Sequence, residues 1–213
     1  MKNNFSKPVL DKFNLLSKRG AKFLGSTYPI MGGAMSWLSE ANLVSAISDA
    51  GGFGVIACGS MEENQLRNEI LKTQSLTKKT FGVNLITMHP RLYELASTCV
   101  SCNVSHVVLA GGLPPSKLIN FLKENGIKVI AFAPAVSIAK RLVKIGVDAL
   151  VIEGLEAGGH VGPVSTNVLA QEILPNINDV PVFVAGGIGR GETMAVFLSL
   201  GASGVQMGTR FVC

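Results

Sequence analysis

Charged side chains supply only 15% of this 213-residue chain and aromatic ones 6%. Lys and Arg (19) outnumber Asp and Glu (14) for a formal net charge of +5, but they are scattered, without a basic block or interleaved aromatics. That pattern argues against a nucleic-acid surface and suits anionic small molecules or an acidic partner. No apolar run approaches the roughly 18 residues of a membrane span. The opening residues, MKNNFSKPVLDKFNLLSKRG, lack the continuous apolar core of a secretory signal, so a cytoplasmic protein is expected. Four cysteines, Cys58, Cys99, Cys102 and Cys213, do not make the framework of a disulfide-stapled scaffold, which agrees with a reducing compartment.

What is abundant is apolar residue, at 47%, and the length suits one sizeable core in one domain. Eight short apolar or β-branched runs recur: YPIMG, FGVIAC, FGVNLI, HVVLAG, KVIAFAP, DALVIEG, VPVFVAGG and GVQMGTRF. Their spacing is that of a strand, a crossover helix and two loops. Helices fit between them. SEANLVSAISDAG offers Ser39 as an N-cap and Gly51 as a stop, and Ser137 to Gly146 carries the same punctuation. Near-continuous apolar strands imply a parallel sheet buried on both faces. Eight in succession favour a closed (β/α)8 TIM barrel over an open doubly wound sheet.

Residues 1–27 read as a partly helical leader that covers the barrel bottom, and 28–213 as the barrel. The sequence stops just after the eighth strand, whereas such barrels typically take about 250 residues. The expectation is a barrel lacking its last helix and lid segment, completed by a second chain or left as an inactive remnant.

In such barrels the active face lies at the C-terminal strand ends. Here those ends carry MGGAM (Met31 to Met35), Asn84, Glu153 with Gly158, Gly159 and His160, then AGGIGRGE, then QMGTR. The loops after strands seven and eight commonly cradle a phosphate on backbone N–H groups, which makes Gly186, Gly187, Gly208 and Thr209 the candidates. The dinucleotide-fingerprint alternative fails on glycine spacing at Gly187, Gly189 and Gly191 and on the absence of a following acid-tipped strand. His160 follows two glycines, as a reactive imidazole beside a bulky ligand would require.

The motifs PIMGGAMSW, AGGFGVI, FGVNL, EGLEAGGHVG, VAGGIGRG and VQMGTRFV, in this order from about Tyr28 to the final residue, resemble the nitronate monooxygenase family, formerly called 2-nitropropane dioxygenases. That family includes the closely similar enoyl-acyl-carrier-protein reductase II. The resemblance implies a flavin barrel with FMN across the strand ends. Met31 and Gly32 would pass backbone near the ring, Asn84 would hydrogen-bond the cofactor and Gly158 would lie close to it. Gly186, Gly187, Gln206, Met207, Gly208 and Thr209 would hold its phosphate end. His160 matches the family's catalytic base. The implied reaction is oxidation of alkyl nitronates or nitroalkanes with oxygen to carbonyl compounds and nitrite. The alternative is NADH-dependent reduction of an enoyl thioester. MGGAM differs from the QGGM turn typical of the reductases, which favours the monooxygenase reading.

Several residues carry a plainer reading beside the functional one. His89 reads as a loop initiator before Pro90, Arg190 as a solvated loop residue, and Glu153 as either a site residue or half of a salt bridge. Cys99, Cys102 and His106 suggest a metal, but a fourth ligand is missing and buried inert thiols are expected. Trp37 and Met35 either line the pocket or pack.

Overall fold

The computed structural model describes residues 6–159 and 161–213. Eight strands, β1 (Ile30–Gly32), β2 (Gly54–Ala57), β3 (Phe81–Ile86), β4 (His106–Ala110), β5 (Lys128–Phe132), β6 (Ala149–Glu153), β7 (Val182–Ala185) and β8 (Gly204–Met207), run parallel. Among the described residues eight α-helices accompany them: α1 (Lys7–Leu24) before β1, then α2 (Ala41–Asp49), α3 (Glu63–Leu76), α4 (Leu92–Ser101), α5 (Ser116–Glu124), α6 (Val136–Lys144), α7 (Thr166–Ile173) and α8 (Gly191–Ser199). The sheet curls until β1 pairs with β8, setting Met31 opposite Gln206. A single bridge, Met31 to Phe53, links β1 to β2, with Gly32 N–H donating to Phe53 O at 2.8 Å. The result is a nearly closed (β/α)8 barrel, not an open doubly wound sheet.

Strand alternation sorts the side chains into two cores. Outward residues such as Val83, Leu85, Val107, Leu109, Leu150, Ile152 and Val184 pack under the helices. The intervening ones, among them Val55, Val108, Ile130, Val151, Phe183 and Ala185, fill the barrel with Met31 and Phe53. Room for the two rings comes from glycine on the neighbouring strand: a Cβ on Gly82 would stand 3.0 Å from Phe53, and one on Gly204 2.8 Å from Phe183.

Helix α1 packs across the N-terminal end of the barrel. Pro8 sits in its first turn and Gly25, at φ +69°, ends it by returning its N–H to Ala21 O. Gly20 lies so near the entry to β8 that a Cβ would fall 1.9 Å from Ser203 O. One turn later Leu24, the last residue of the helix, joins the inner core. The Phe23 carbonyl accepts from His106 Nε2 at 3.0 Å and from Lys128 Nζ at 2.9 Å, from the first residues of β4 and β5. His106 lies between the Phe23 and Phe53 rings, both met edge-on.

Burial, with a smaller contribution from Lys128, pushes the His106 pKa from 6.5 down to about 4 against the raising effect of its bond to Phe23. Its folded form is therefore neutral where the unfolded chain is protonated. Across that window the unfolded state binds the extra proton, so stability is complete above pH 6.5 and falls toward pH 4. The total loss from this group is about 3 kcal/mol. Urea unfolding at pH 7 and pH 4.5 should show this loss in the wild type, and His106→Gln should flatten it.

Candidate active site at the C-terminal mouth of the barrel

The inner core does not fill the barrel to the top. Above it a cleft of about 1270 Å³ opens between the loops that follow the strands. Its floor is the upper tier of inward positions: Val55, Asn84, Ile86, Val108, Ala110, Phe132, Glu153, Ala185 and Gln206. Strand parity explains the set. Asn84 stands two residues above Gly82 on β3, and Gln206 two above Gly204 on β8, so both continue columns that begin beneath the rings. Most of the floor is apolar, and Asn84, Glu153 and Gln206 are its polar groups. Asn84 is 6% exposed and donates from Nδ2 to Val108 O at 3.1 Å. That bond fixes the plane of its amide.

The walls are largely backbone. Gly33 N–H donates to Met207 O at 2.7 Å, and a Cβ on Gly33 would lie 3.2 Å from Gly208 Cα, so the turns after β1 and β8 touch without a side chain between them. Met35 packs its sulfur over Gly208. Across the mouth, a Cβ on Gly158 would stand 2.6 Å from Thr209 Oγ1. After β7 the chain turns through Gly186 at φ +103° and Gly187 at φ +69°, a left-handed pair that glycine adopts without strain. Trp37, which is the only tryptophan in the chain, lines the cleft yet is 83% exposed.

Asn84, Gly158, Gly186, Gly187, Gln206, Met207, Gly208 and Thr209 therefore meet around one space. Met31 and Gly32 do not reach it. Met31 is buried in the inner core and Gly32 bonds to Phe53, because closing the barrel uses both residues; Gly33, Ala34 and Met35 take the place expected for them. His160 lies outside the described residues.

Among the secondary candidates, Glu153 lines the cleft. His89 Nδ1 accepts from Arg91 N–H at 3.1 Å in the turn before α4, and Arg190 is paired with Glu192. Cys58, Cys99 and Cys102 are buried, and burial raises the Cys58 thiol to about 12 and Cys99 higher still. Ser39 is not the N-cap of α2. Glu40 holds that position and the Glu69 carboxylate accepts Ala41 N–H, while the Ser39 hydroxyl accepts from Met35 N–H and donates to Gly33 O, both at 2.9 Å. It braces the turn that carries Trp37.

Sequence reasoning missed Glu156 and Thr166. The Glu156 carboxylate accepts both Thr166 N–H and Thr166 Oγ1–H at 2.7 Å, bonds that hold its pKa below the usual carboxylate range. No local motif marks a bond between residues ten apart.

The site is thus an apolar-floored cleft walled by glycine turns at the C-terminal mouth of a (β/α)8 barrel. The sequence model of nitronate monooxygenase matches residues 17–213, and the chain belongs to that family. It is 37% identical over 194 residues to a (3aS,4S,5R,7aS)-5-hydroxy-7a-methyl-1-oxo-octahydro-1H-indene-4-carboxyl-CoA dehydrogenase of Rhodococcus jostii (strain RHA1), covering 90% of this chain and 54% of that protein. To a probable nitronate monooxygenase of Staphylococcus aureus (strain N315) it is 30% identical over 239 residues, covering 91% and 67%. FabK from Thermotoga maritima superposes with a TM-score of 0.88 at 42% identity, over 91% of this chain and 62% of that one. Nitroalkane oxidase from Streptomyces ansochromogenes superposes at 0.83 with 25% identity, over 90% and 67%. The chain spans about half the length of the Rhodococcus relative. No helix among the described residues is long and apolar enough to cross a membrane.

Two glycines of the loop after β6 test the wall. A Cβ on Gly154 would fall 2.3 Å from Thr166 N, whereas one on Gly159 meets nothing within 4 Å. Gly154→Ala should destabilise by about 2 kcal/mol or more because the first turn of α7 has to move. Gly159→Ala should stay within about 0.5 kcal/mol of wild type. Urea midpoints of the two variants decide.

Proposed function

We propose that this chain forms the cofactor- and substrate-binding face of an FMN-dependent oxidoreductase that oxidises alkyl nitronates. The observation that carries this reading is the cleft itself: a mostly apolar floor with one orienting amide, Asn84, and walls where glycine turns replace side chains. Its volume of about 1270 Å³ exceeds that of a site for one small molecule and suits a cofactor with a substrate beside it.

Residues present fit FMN by type. Asn84 would meet the polar edge of a flat ring, Gln206 would lie toward the ribityl phosphate end, the apolar floor would exclude water beneath the ring, and Gly158 would leave room beside it. Gly186, Gly187, Met207, Gly208 and Thr209 would hold the phosphate end through backbone, as such turns do at barrel rims. When bound, FMN would supply the acceptance and transfer of electrons; the protein supplies position and proton handling. In this reading His160 takes the α-proton of a neutral nitroalkane, a role suited to imidazole at neutral pH. A nitronate has already lost that proton, so variants of His160 should lose nitroalkane oxidation far more than nitronate oxidation.

The second reading is NADH-dependent reduction of an enoyl thioester, for which the likeness to FabK, at 42% identity, is the support. Anaerobic mixing separates the two. Reduction of the flavin by ethyl nitronate but not by NADH supports nitronate oxidation, and rapid bleaching by NADH overturns it.

Binding is read directly from Trp37, the lone tryptophan at the cleft mouth. FMN titrated into the protein should quench its emission with saturation, and Asn84→Ala should weaken binding about tenfold, the cost of one hydrogen bond to the ligand. Emission and flavin absorption both unchanged at high FMN would end the cofactor reading.

A further inference from the structure

The loop after β6 meets the end of β7 through Gly154 N–H, which donates to Ala185 O at 3.2 Å, and a second contact runs through Glu156 and Thr166. Glu156 Oε2 accepts Thr166 N–H and Thr166 Oγ1–H, both at 2.7 Å, so a loop carboxylate occupies the N-terminal end of α7, where a negative charge is favoured. The same Thr166 hydroxyl stands 3.3 Å from Gly186 O and 3.4 Å from Ala185 O, at the end of β7. Space is as tight as the bonding. A Cβ on Gly186 would fall 2.7 Å from Thr166 Oγ1, one on Gly187 3.0 Å from Glu156 Cβ, and one on Gly154 2.2 Å from Thr166 Oγ1. Thr166 is 3% exposed, so it cannot retreat into solvent. The base of the loop is closed separately, by Leu155 N–H donating to Val164 O at 2.8 Å.

A carboxylate serving only to cap α7 would need neither glycine after β7. Here its β-carbon fills the space that Gly187 leaves, and the hydroxyl it holds fills the space that Gly186 leaves. We propose that Glu156, through Thr166, is a positioning residue that sets the Gly186–Gly187 turn and locks it to the loop after β6, so that the two walls of the cleft hold one geometry. The consequence for ligands concerns phosphate recognition: the turn is the proposed grip on the phosphate end of FMN, and in that respect the inference rests on the cofactor reading.

Riboflavin, which shares the ring of FMN and lacks the phosphate, isolates the effect. Dissociation constants for both ligands, from Trp37 quenching, give the preference for FMN. Glu156→Ala and Thr166→Val should each lower that preference about tenfold, the scale of one hydrogen bond to a charged group, while Thr166→Ser keeps it. Glu156→Gln, which retains one acceptor oxygen, should fall between and serves if Glu156→Ala does not fold. In the absence of ligand, hydrogen exchange should quicken in both 155–159 and 185–191 in Glu156→Ala. Equal weakening of FMN and riboflavin, or faster exchange in 155–159 alone, overturns the proposal. Should the wild type bind neither flavin, the cofactor reading fails, and the exchange measurement still decides whether the two segments are coupled.

Discussion

Eight parallel strands that close on themselves leave each strand only two or three inward positions, and this constraint governs the rest of the molecule. Apart from His106 and Lys128, which meet the Phe23 carbonyl at the base, the lower positions are apolar or glycine, beside the buried Phe53, Phe183 and Met31. The upper ones cannot be filled from within the barrel, since the strands end there and the loops diverge. A cleft at that end is the geometric remainder of closure, and the few polar inward residues, Asn84, Glu153 and Gln206, stand in it without disturbing the packed layer below.

Closure is also the least redundant part of the fold. Seven strand pairs are continuous ladders, but β1 reaches β2 through one bridge. The segment after β1 is consequently braced by other means: Gly33 on Met207, and the buried Ser39 hydroxyl on Gly33 and Met35. Trp37 rides on this braced turn at φ +65°, a conformation a bulky residue adopts only when its surroundings impose it. Backbone strain, cleft and exposed indole coincide.

The strands were legible because burial on both faces writes an apolar run into the sequence, and FGVNLI was found to the residue. Asn84 was named from its place at a strand end and Gln206 from the motif VQMGTRFV; both lie on inward columns near their open ends. Placement failed where backbone bonding outweighed position in the motif. Met31 and Gly32 fall two and one residues short of the cleft because closure uses them. Ser39 looked like a cap, but its hydroxyl bonds backward into the turn, and Glu69, twenty-eight residues away from Ala41, does the capping instead. Glu156 was illegible because its meaning depends on where α7 begins, which no residue near it announces.

The carbonyl of Phe23 adds a constraint of another kind. Its two donors lie 83 and 105 residues downstream, and Arg19 reaches Asn178 O across 159. A ribosome releases α1 well before any of these partners, so the helix has nothing to seat against until β4 and β5 have emerged. During synthesis Leu24 and Phe23 remain without their native shelter until about half the length of the chain has followed, which leaves this apolar end of α1 open to non-native contacts for that interval.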